Sequence, residues 1–387
     1  MSRPLLTLRA LYFVIFGFLG GFGNYLPLWL EHYGWTETQM GWLGAVRSGC
    51  LILAPLFWGH MADRDGHSRR VLWITALGGV VAFAPMVVTA GLEWVVLSTT
   101  LFHLFREGTV PAADTAALDL IEIEGGTFGD NRIWGSFGFI AGGFLIAGVV
   151  AIAGRAAIPV ALMVLLVVTV VLVSRLPAAT ARPVARGPLL KGVLTGAVVR
   201  FFGVLLLWRI AMQGFYQFLP LHLSALGVPD AWVPAYWAVG VLVEVWLFRN
   251  AERIFGPWPS RRVFLLCLVA CVIQTGLAAV VTNPWLFLGV MALHGLSFGM
   301  AFYTTVVWLG ALVPRERRAT IQALLYAVAF GVGGAISSAA SGYVYAHGAG
   351  FSLFLAEAVL SLVTLGVAAL VLVDSTTFGA ASSLGRG

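Results

Sequence analysis

Charge is what this sequence lacks: only 10% of its 387 residues are Asp, Glu, Lys or Arg, against 60% that are apolar. Soluble domains carry about 25% charged residues. A length that would suit two or three soluble domains therefore belongs to a chain that water would not solvate and lipid would, with a mean hydropathy of +0.93. Cysteine is scarce as well. Cys50, Cys267 and Cys271 all lie inside apolar stretches, and no histidine or further cysteine sits near the last two. They are expected to pack, not to bind metal or form a disulfide framework. There is no HExxH, no pair of metal ligands at helical spacing and no nucleophile elbow, so a membrane enzyme is disfavoured and no metal or cofactor is expected. Gly331-Val-Gly333-Gly334 falls in mid-helix, where packing explains it better than phosphate binding. After the basic lead from Met1 to Arg9 no small-residue cleavage site follows at a suitable distance, which reads as a retained first membrane helix.

What is present is a series of apolar runs, each long enough for the roughly 20 residues that a helix needs to cross a bilayer. They fall near 8–30, 39–62, 71–91, 94–120, 132–153 and 157–175, then near 198–224, 232–255, 262–281, 285–313, 318–346 and 351–373. Barrel strands would need only about ten alternating residues each. The expected fold is therefore an all-α membrane protein of twelve transmembrane helices in two six-helix bundles. The first is expected over 1–176 and the second over 198–374. A basic, Pro- and Gly-bearing cytoplasmic linker, 177–197, joins them, and a mobile cytoplasmic tail occupies 375–387.

The basic residues test this topology independently. With the N-terminus in the cytoplasm, nineteen of the 23 Lys and Arg residues fall on that side, Arg155 alone falls opposite, and Arg47, Arg106 and Arg209 lie within helices. This positive-inside bias places both termini in the cytoplasm of a multi-pass inner-membrane protein. The net charge of +6 is accounted for by the short loops, so nucleic acid is not an expected partner; the partners are the bilayer, a small solute and protons, with the chain as a monomer.

Charges inside the runs each cost about 2.5–3.5 kcal/mol at the bilayer centre on insertion scales, so each needs a reason. They are Arg47 in the second helix, Arg106, Glu107 and Asp114 in the fourth, Arg209 in the seventh, Glu244 in the eighth and Glu357 in the twelfth, with His294 in the tenth. The third, sixth and ninth runs carry none and are expected to face lipid on all sides. Arg209, Gln213, Tyr216, Gln217 and Pro220 would share one face of the seventh helix, and His294, Ser297, Ala301 and Thr304 or Thr305 a polar or small stripe on the tenth. Asn24 follows Gly17, Gly20 and Gly21, where small residues permit close helix contact. Arg106 with Glu107 has the alternative reading of a structural ion pair, and His294 that of a structural histidine. Glu357, on the last helix near its outer end, is expected to be structural or to snorkel.

Two loops carry a pattern. Gly59-His-Met-Ala-Asp63-Arg64-Asp-Gly66, followed by Arg69 and Arg70, resembles the G-x-x-x-D-R-x-G loop of the major facilitator superfamily, and Arg249-Asn-Ala-Glu252-Arg253-Ile-Phe-Gly256 with Arg261 and Arg262 is a degenerate copy. The resemblance implies a conformational latch made of Gly59, Asp63, Arg64, Gly66, Arg69 and Arg70. Phe128-Gly129-Asp-Asn-Arg132-Ile-Trp134-Gly135-Ser136 is similar to the segment opening helix five in the phenylpropionate-permease-like branch, near the oligosaccharide and nucleoside proton symporters. Leu26-Pro27-Leu28-Trp29, Pro111 with Asp114, Val243-Glu244-Val245, and Leu293-His294 with Phe298 match in the same order. By this resemblance His294 takes the place of a histidine important in sugar–proton symporters, and Arg132 that of a substrate-binding arginine. Ser297 stands where those symporters place a proton-carrying glutamate, and the lysine before the histidine is missing, a departure that bears on both sugar specificity and that proton relay.

These residues imply a two-half, alternating-access transporter with its site near the midplane, a proton-coupled symporter of a small organic solute. Asp114 and Glu244 are the first candidates to carry the proton, with His294 and Glu107 behind them. Asn24, Arg47, Arg106, Arg132, Arg209, Gln213, Tyr216, Gln217 and Tyr236 are candidates for solute binding. The arginines suit a carboxylate, and Tyr216, Tyr236 and Trp237 a ring, which together suggest an aromatic acid. Export of drugs or metabolites is the runner-up, and a membrane sensor or scaffold on a transporter fold is the alternative of another class. The topology has a direct test. A cysteine replacing Arg155 should react with an impermeant maleimide on intact cells, whereas one replacing Arg253 should react only after permeabilisation; the reverse pattern would invert the orientation.

Overall fold

The computed structural model describes residues 2–65, 68–125, 128–177, 194–314 and 317–372; side chains at 56, 59, 60, 62–65, 68, 122 and 319 are outside that description. Every described element is helical. Twelve spanning helices can be traced: α1 Arg3–His32, α2 Glu37–Asp65, α3 Arg69–Val88, α4 Leu92–Glu124, α5 Phe128–Ala153, α6 Arg155–Arg175, α7 Gly196–Ala225, α8 Asp230–Phe255, α9 Ser260–Val280, α10 Pro284–Leu312, α11 over 318–347 and α12 over 350–371. By length and composition α1, α3, α5 to α10 and the stretch Thr320–Val371 of α11 and α12 are apolar enough to cross a membrane, whereas α2 and α4 are not among these. Those two carry interior charge, yet at 29 and 33 residues and about 1.5 Å per residue they exceed the roughly 30 Å hydrocarbon thickness.

Large apolar side chains are exposed throughout, among them Leu53, Ile152, Val164, Ile273 and Leu370. In water such a surface would aggregate; in lipid it is the required one. The third, sixth and ninth helices do not face lipid all round, as their lack of charge suggests. Each has an inward face: Leu72 and Thr75 on α3, Leu162 and Thr169 on α6, Cys267, Cys271, Gln274 and Thr275 on α9 are buried. A helix lacking charge can still pack, because lipid does not compete for close van der Waals contact between helices.

The chain divides into two compact units. The first comprises Met1–Thr36, Gly49–Arg186 and Pro229–Pro234, the second Glu37–Ser48, Gly187–Val228 and Ala235–Gly387. In the first, α1 and α5 approach at glycines. A Cβ on Gly138 would lie 2.0 Å from the Phe13 carbonyl oxygen and one on Gly142 2.0 Å from the Gly17 carbonyl oxygen, so the backbones touch where any side chain would separate them. One end of this unit is clasped by Arg155. Its guanidinium donates to both carboxylate oxygens of Asp230, at 2.7 and 2.8 Å, and to Glu31 Oε2 at 2.7 Å. The Tyr25 hydroxyl adds a bond to the Asp230 carbonyl. A bidentate Arg–carboxylate pair is the geometry that makes a partly exposed ion pair worth forming.

The second unit is built around Phe201, Trp208, Phe264, Trp308 and Leu309. Cys267 and Cys271 are free thiols buried in this core, as Cys50 is buried in α2. Two helices here are not regular. The α10 helix holds a π-helical segment, Gly295–Met300, and α11 another, Tyr326–Gly333. α11 and α12 are joined at Gly348–Ala349, where Ala349 adopts φ 50°. With ψ −157° this is a region kept almost entirely by glycine, and it costs an L-residue about 1–3 kcal/mol. Ala349→Gly should therefore raise stability by about 0.5–1 kcal/mol, net of the entropy glycine adds to the unfolded chain, read as a higher melting temperature in detergent. A fall in melting temperature would show that the turn is not strained.

Candidate functional site

The second unit concentrates its polar groups around one interruption. The seventh helix runs as Gly196–Ile210, breaks at Ala211 and Met212, and resumes as Gln213–Ala225. Arg209 is on the last turn before the break and is 9% exposed. Its Nη2 donates to Gln213 Oε1 across the break. Its Nε and Nη1 have no hydrogen-bond partner, and no described carboxylate comes within ion-pair distance. The guanidinium carbon instead faces three rings: Phe330 at 4.6 Å, Tyr216 at 5.6 Å and Phe298 at 5.8 Å. Ring faces compensate a desolvated cation by about 0.5–2 kcal/mol, less than its transfer costs. Both π-helical segments supply rings here, Phe298 from α10 and Phe330 from α11. Such insertions turn a side chain off the 3.6-residue track and recur at functional sites.

From Arg209 the polar groups continue through Tyr216. Its hydroxyl lies 3.3 Å from His294 Nδ1, and His294 Nε2 lies 3.6 Å from Glu244 Oε2. Trp237 packs on Tyr216 and His294, and His294 stacks on Phe298 with centroids 5.4 Å apart. Glu244 can come this close because Gly299 lacks a side chain; a Cβ there would meet Glu244 Cγ at 2.5 Å and Cδ at 3.1 Å. The structure thus joins Arg209, Gln213, Tyr216, His294 and Glu244.

Other expected members are placed elsewhere. Gln217 is drawn to α2: its Nε2 donates to the Met40 carbonyl at 2.9 Å, while its Oε1 has no hydrogen-bond partner. The Tyr236 hydroxyl donates to the Pro284 carbonyl, so Tyr236 fastens α8 to α10 while its neighbour Trp237 faces the site. Ser297 turns from His294 into the core, its hydroxyl on Gln274 Oε1, because the π turn breaks the expected stripe. Arg47 is half-buried and within electrostatic reach of Arg209.

In the first unit the charges are mostly engaged with one another. Arg106 Nη1 donates to Glu107 Oε1 at 2.6 Å, and His103 Nδ1 lies 3.0 Å from the same oxygen. The Tyr12 hydroxyl donates to Asp114 Oδ1 at 2.7 Å. Arg132 lies over the Phe16 ring at 3.9 Å and near Tyr12 at 5.7 Å, while Arg9 holds Asn131. Asn24 is buried against Gly143. Of the loop latch, Arg69 donates to the Ser174 carbonyl at 3.0 Å and Arg70 is exposed. Gly66 and the side chains of Asp63 and Arg64, with Gly59, lie outside the described residues, as do 178–193 of the linker and the tail from 373.

Glu357, expected to be structural or to snorkel, does not snorkel but holds a backbone group. It is 4% exposed, and its Oε1 accepts the Phe215 N–H at 3.1 Å, at the first turn of the resumed helix. Nothing in the pattern of α12 announces this, because the partner is a backbone group exposed only by the break in α7.

A family model described as the MFS_1 like family matches residues 5–356. The probable 3-phenylpropionic acid transporter of Escherichia coli is 28% identical over 370 residues, covering 91% of this chain and 93% of that protein. The maltose permease of Geobacillus stearothermophilus is 26% identical over 346 residues, 86% of each. Among solved structures, the nucleoside transporter NupG superposes with a TM-score of 0.82 at 17% identity, over 96% of this chain and 99% of that one. The peptide transporter POT in complex with sulfate gives 0.75 at 13%, over 96% and 95%. At these identities the two structures are alike in fold alone.

The α8–α10 approach carries the site's geometry and can be tested alone. Gly299→Leu should destabilise the protein by about 1–3 kcal/mol and separate Glu244 from His294. Gly310→Leu, about three turns further along the same helix with nothing within 4 Å of where its Cβ would stand, should melt like the parent; equal losses would mean that crowding is not specific to Gly299.

Proposed function

Because the chain belongs to the MFS_1 like family of major facilitator transporters, we propose that it is a secondary active transporter that couples protons to uptake of a small aromatic carboxylate. One observation carries the reading: Arg209 is a buried cation with two unpartnered guanidinium nitrogens, no carboxylate at ion-pair distance among the described residues and three ring faces around it. A charge in that setting is costly unless something pairs with it. A solute carboxylate supplies the missing anion through Nε and Nη1. The rings of Phe330, Phe298, Tyr216 and Trp237 supply an apolar wall for an aromatic body. A long sugar would need many more free polar groups than this wall offers. The similarity to a probable 3-phenylpropionic acid transporter agrees with the same solute class.

The proton belongs to Glu244 with His294. The anion on Arg209 and a proton on this pair together leave the net charge of the site unchanged, so the loaded protein can change conformation without moving charge through lipid. Tyr216 spans the two, touching Arg209 by its ring and His294 by its hydroxyl, and is placed to report one occupancy to the other. Asp114, bonded to Tyr12, is the second proton candidate. The cycle is alternating access between two six-helix halves, 1–176 and 198–374. The protein resides in the inner membrane, with both termini cytoplasmic.

Uptake into proteoliposomes tests this with labelled 3-phenylpropionate, maltose and uridine, each with and without an inward proton gradient. We expect 3-phenylpropionate alone to accumulate, driven by acid outside. Arg209→Ala should weaken its apparent affinity about 10- to 100-fold, the loss of a buried charge-assisted pair. Glu244→Gln should retain solute exchange and lose gradient-driven accumulation. Unchanged affinity in Arg209→Ala would overturn the carboxylate reading, maltose or uridine uptake would replace it, and gradient-driven extrusion would establish export.

A further inference from the structure

The break in α7 leaves backbone groups that nothing within that helix can satisfy. A helix that stops and restarts exposes carbonyls at its end and N–H groups at its new beginning, and within a bilayer each must find a partner in the protein. Two side chains from α11 and α12 meet this demand from opposite sides. The Ser337 hydroxyl donates to the Ile210 carbonyl at 2.7 Å, at the end of the first segment. Glu357 Oε1 accepts the Phe215 N–H at 3.1 Å at the third position of the second, where an N-cap side chain would ordinarily act. Met212, which occupies the cap position itself, makes no side-chain cap hydrogen bond. The room for this arrangement comes from Gly214: a Cβ there would lie 2.8 Å from Glu357 Oε1.

The break sits inside the candidate site. Arg209 is the second residue before Ala211 and Gln213 the first residue of the resumed helix, and the two side chains are bonded to each other across the gap. The orientation of the guanidinium thus depends on how the two segments are held. Ser337 and Glu357 are the side chains that close the break, and neither is bonded to the guanidinium, though Glu357 lies within electrostatic reach of it.

We propose that Glu357 is a positioning residue for solute binding: as a side-chain cap donated by α12 to the interrupted α7, it fixes the angle at which Arg209 and Gln213 are presented. The inference rests on the reading of Arg209 as the solute's anchor, but the capping itself does not. Glu357 acts as an acceptor; its Oε2 has no hydrogen-bond partner. An amide oxygen in the same place would serve the Phe215 N–H, so glutamine should rescue what alanine destroys.

Two readouts separate the proposal from the reading it rests on. Hydrogen exchange of the peptide spanning 211–218 reports the cap without any solute. Protection at this peptide should fall at least about tenfold in Glu357→Ala, consistent with losing a bond to a charged acceptor, and return to within about threefold of the parent in Glu357→Gln. Uptake of 3-phenylpropionate should show a KM raised about tenfold in Glu357→Ala with the maximal rate little changed, and near-parent KM in Glu357→Gln. Should Glu357→Ala fail to fold, Ser337→Ala, which loosens the other side of the break, should give the same KM shift in smaller measure. Parent-like exchange in Glu357→Ala overturns the capping, whatever the solute proves to be. Altered exchange with unaltered KM overturns the positioning role. Equal damage in Glu357→Gln and Glu357→Ala overturns it too, because charge and not the acceptor would then be what matters. If 3-phenylpropionate is not transported at all, the exchange arm still decides whether Glu357 holds the break.

Discussion

A guanidinium enclosed by lipid-spanning helices must be compensated by its surroundings, and in the second unit that requirement organises nearly everything near Arg209. Without a described carboxylate within ion-pair distance, the cation is left to three ring faces and one glutamine oxygen. Two of those rings are delivered by π-helical segments and the glutamine by the first residue of a restarted helix. Each of these departures from regular helix frees backbone groups, and freed groups in a bilayer need partners. Hence the serine of α11 and the glutamate of α12 that close the α7 break. The irregularities gather around a single buried charge that no described carboxylate meets at ion-pair distance.

The first unit treats its charges in the opposite way. Arg106, Glu107 and His103 form one cluster around a shared oxygen, Asp114 holds a tyrosine hydroxyl, and Arg155 grips Asp230 and Glu31. Three of its helices, α1, α4 and α5, run 30, 33 and 26 residues without a break. Satisfied pairs of this kind fasten helices, since separating them would leave a lone charge. A unit whose charges are mutually paired serves as scaffold more readily than as a binding surface for an ion. Arg132, laid on Phe16 as Arg209 is laid on its rings, lies within electrostatic reach of Asp114 as well.

The spans, the loops and the identity of the intramembrane charges are legible in the sequence, because hydropathy and charge are properties of residues taken singly. Partners are not legible in the same way. Helical spacing groups Arg209, Gln213 and Tyr216, and the grouping survives the break; Gln217, one residue on, falls under the same rule and belongs instead to the contact with Met40. A 3.6-residue count puts Ser297 on the face of His294, and the π segment invalidates that count. Glu357 looks peripheral because its helix is apolar and last, and its role depends on backbone N–H groups of α7 that no pattern in α12 encodes. Ala349 gives no sign of its positive φ except the glycines on either side.

The glutamate at 357 and the glutamate at 244 show how the same residue type acquires different work from its neighbours. Glu244 approaches an imidazole across a glycine, is partly open at 23% side-chain exposure, and has a titratable partner within 3.6 Å. A proton can reach such a pair and be passed between its members. Glu357 is closed off, faces a backbone N–H with one oxygen and has no ion-pair partner among the described residues. Its oxygen can hold a helix end whether the second oxygen is charged or not. Placing proton traffic at Glu244 and mechanical support at Glu357 therefore follows from access and partners, and it assigns the two acidic groups of the second unit's interior without requiring either to do both.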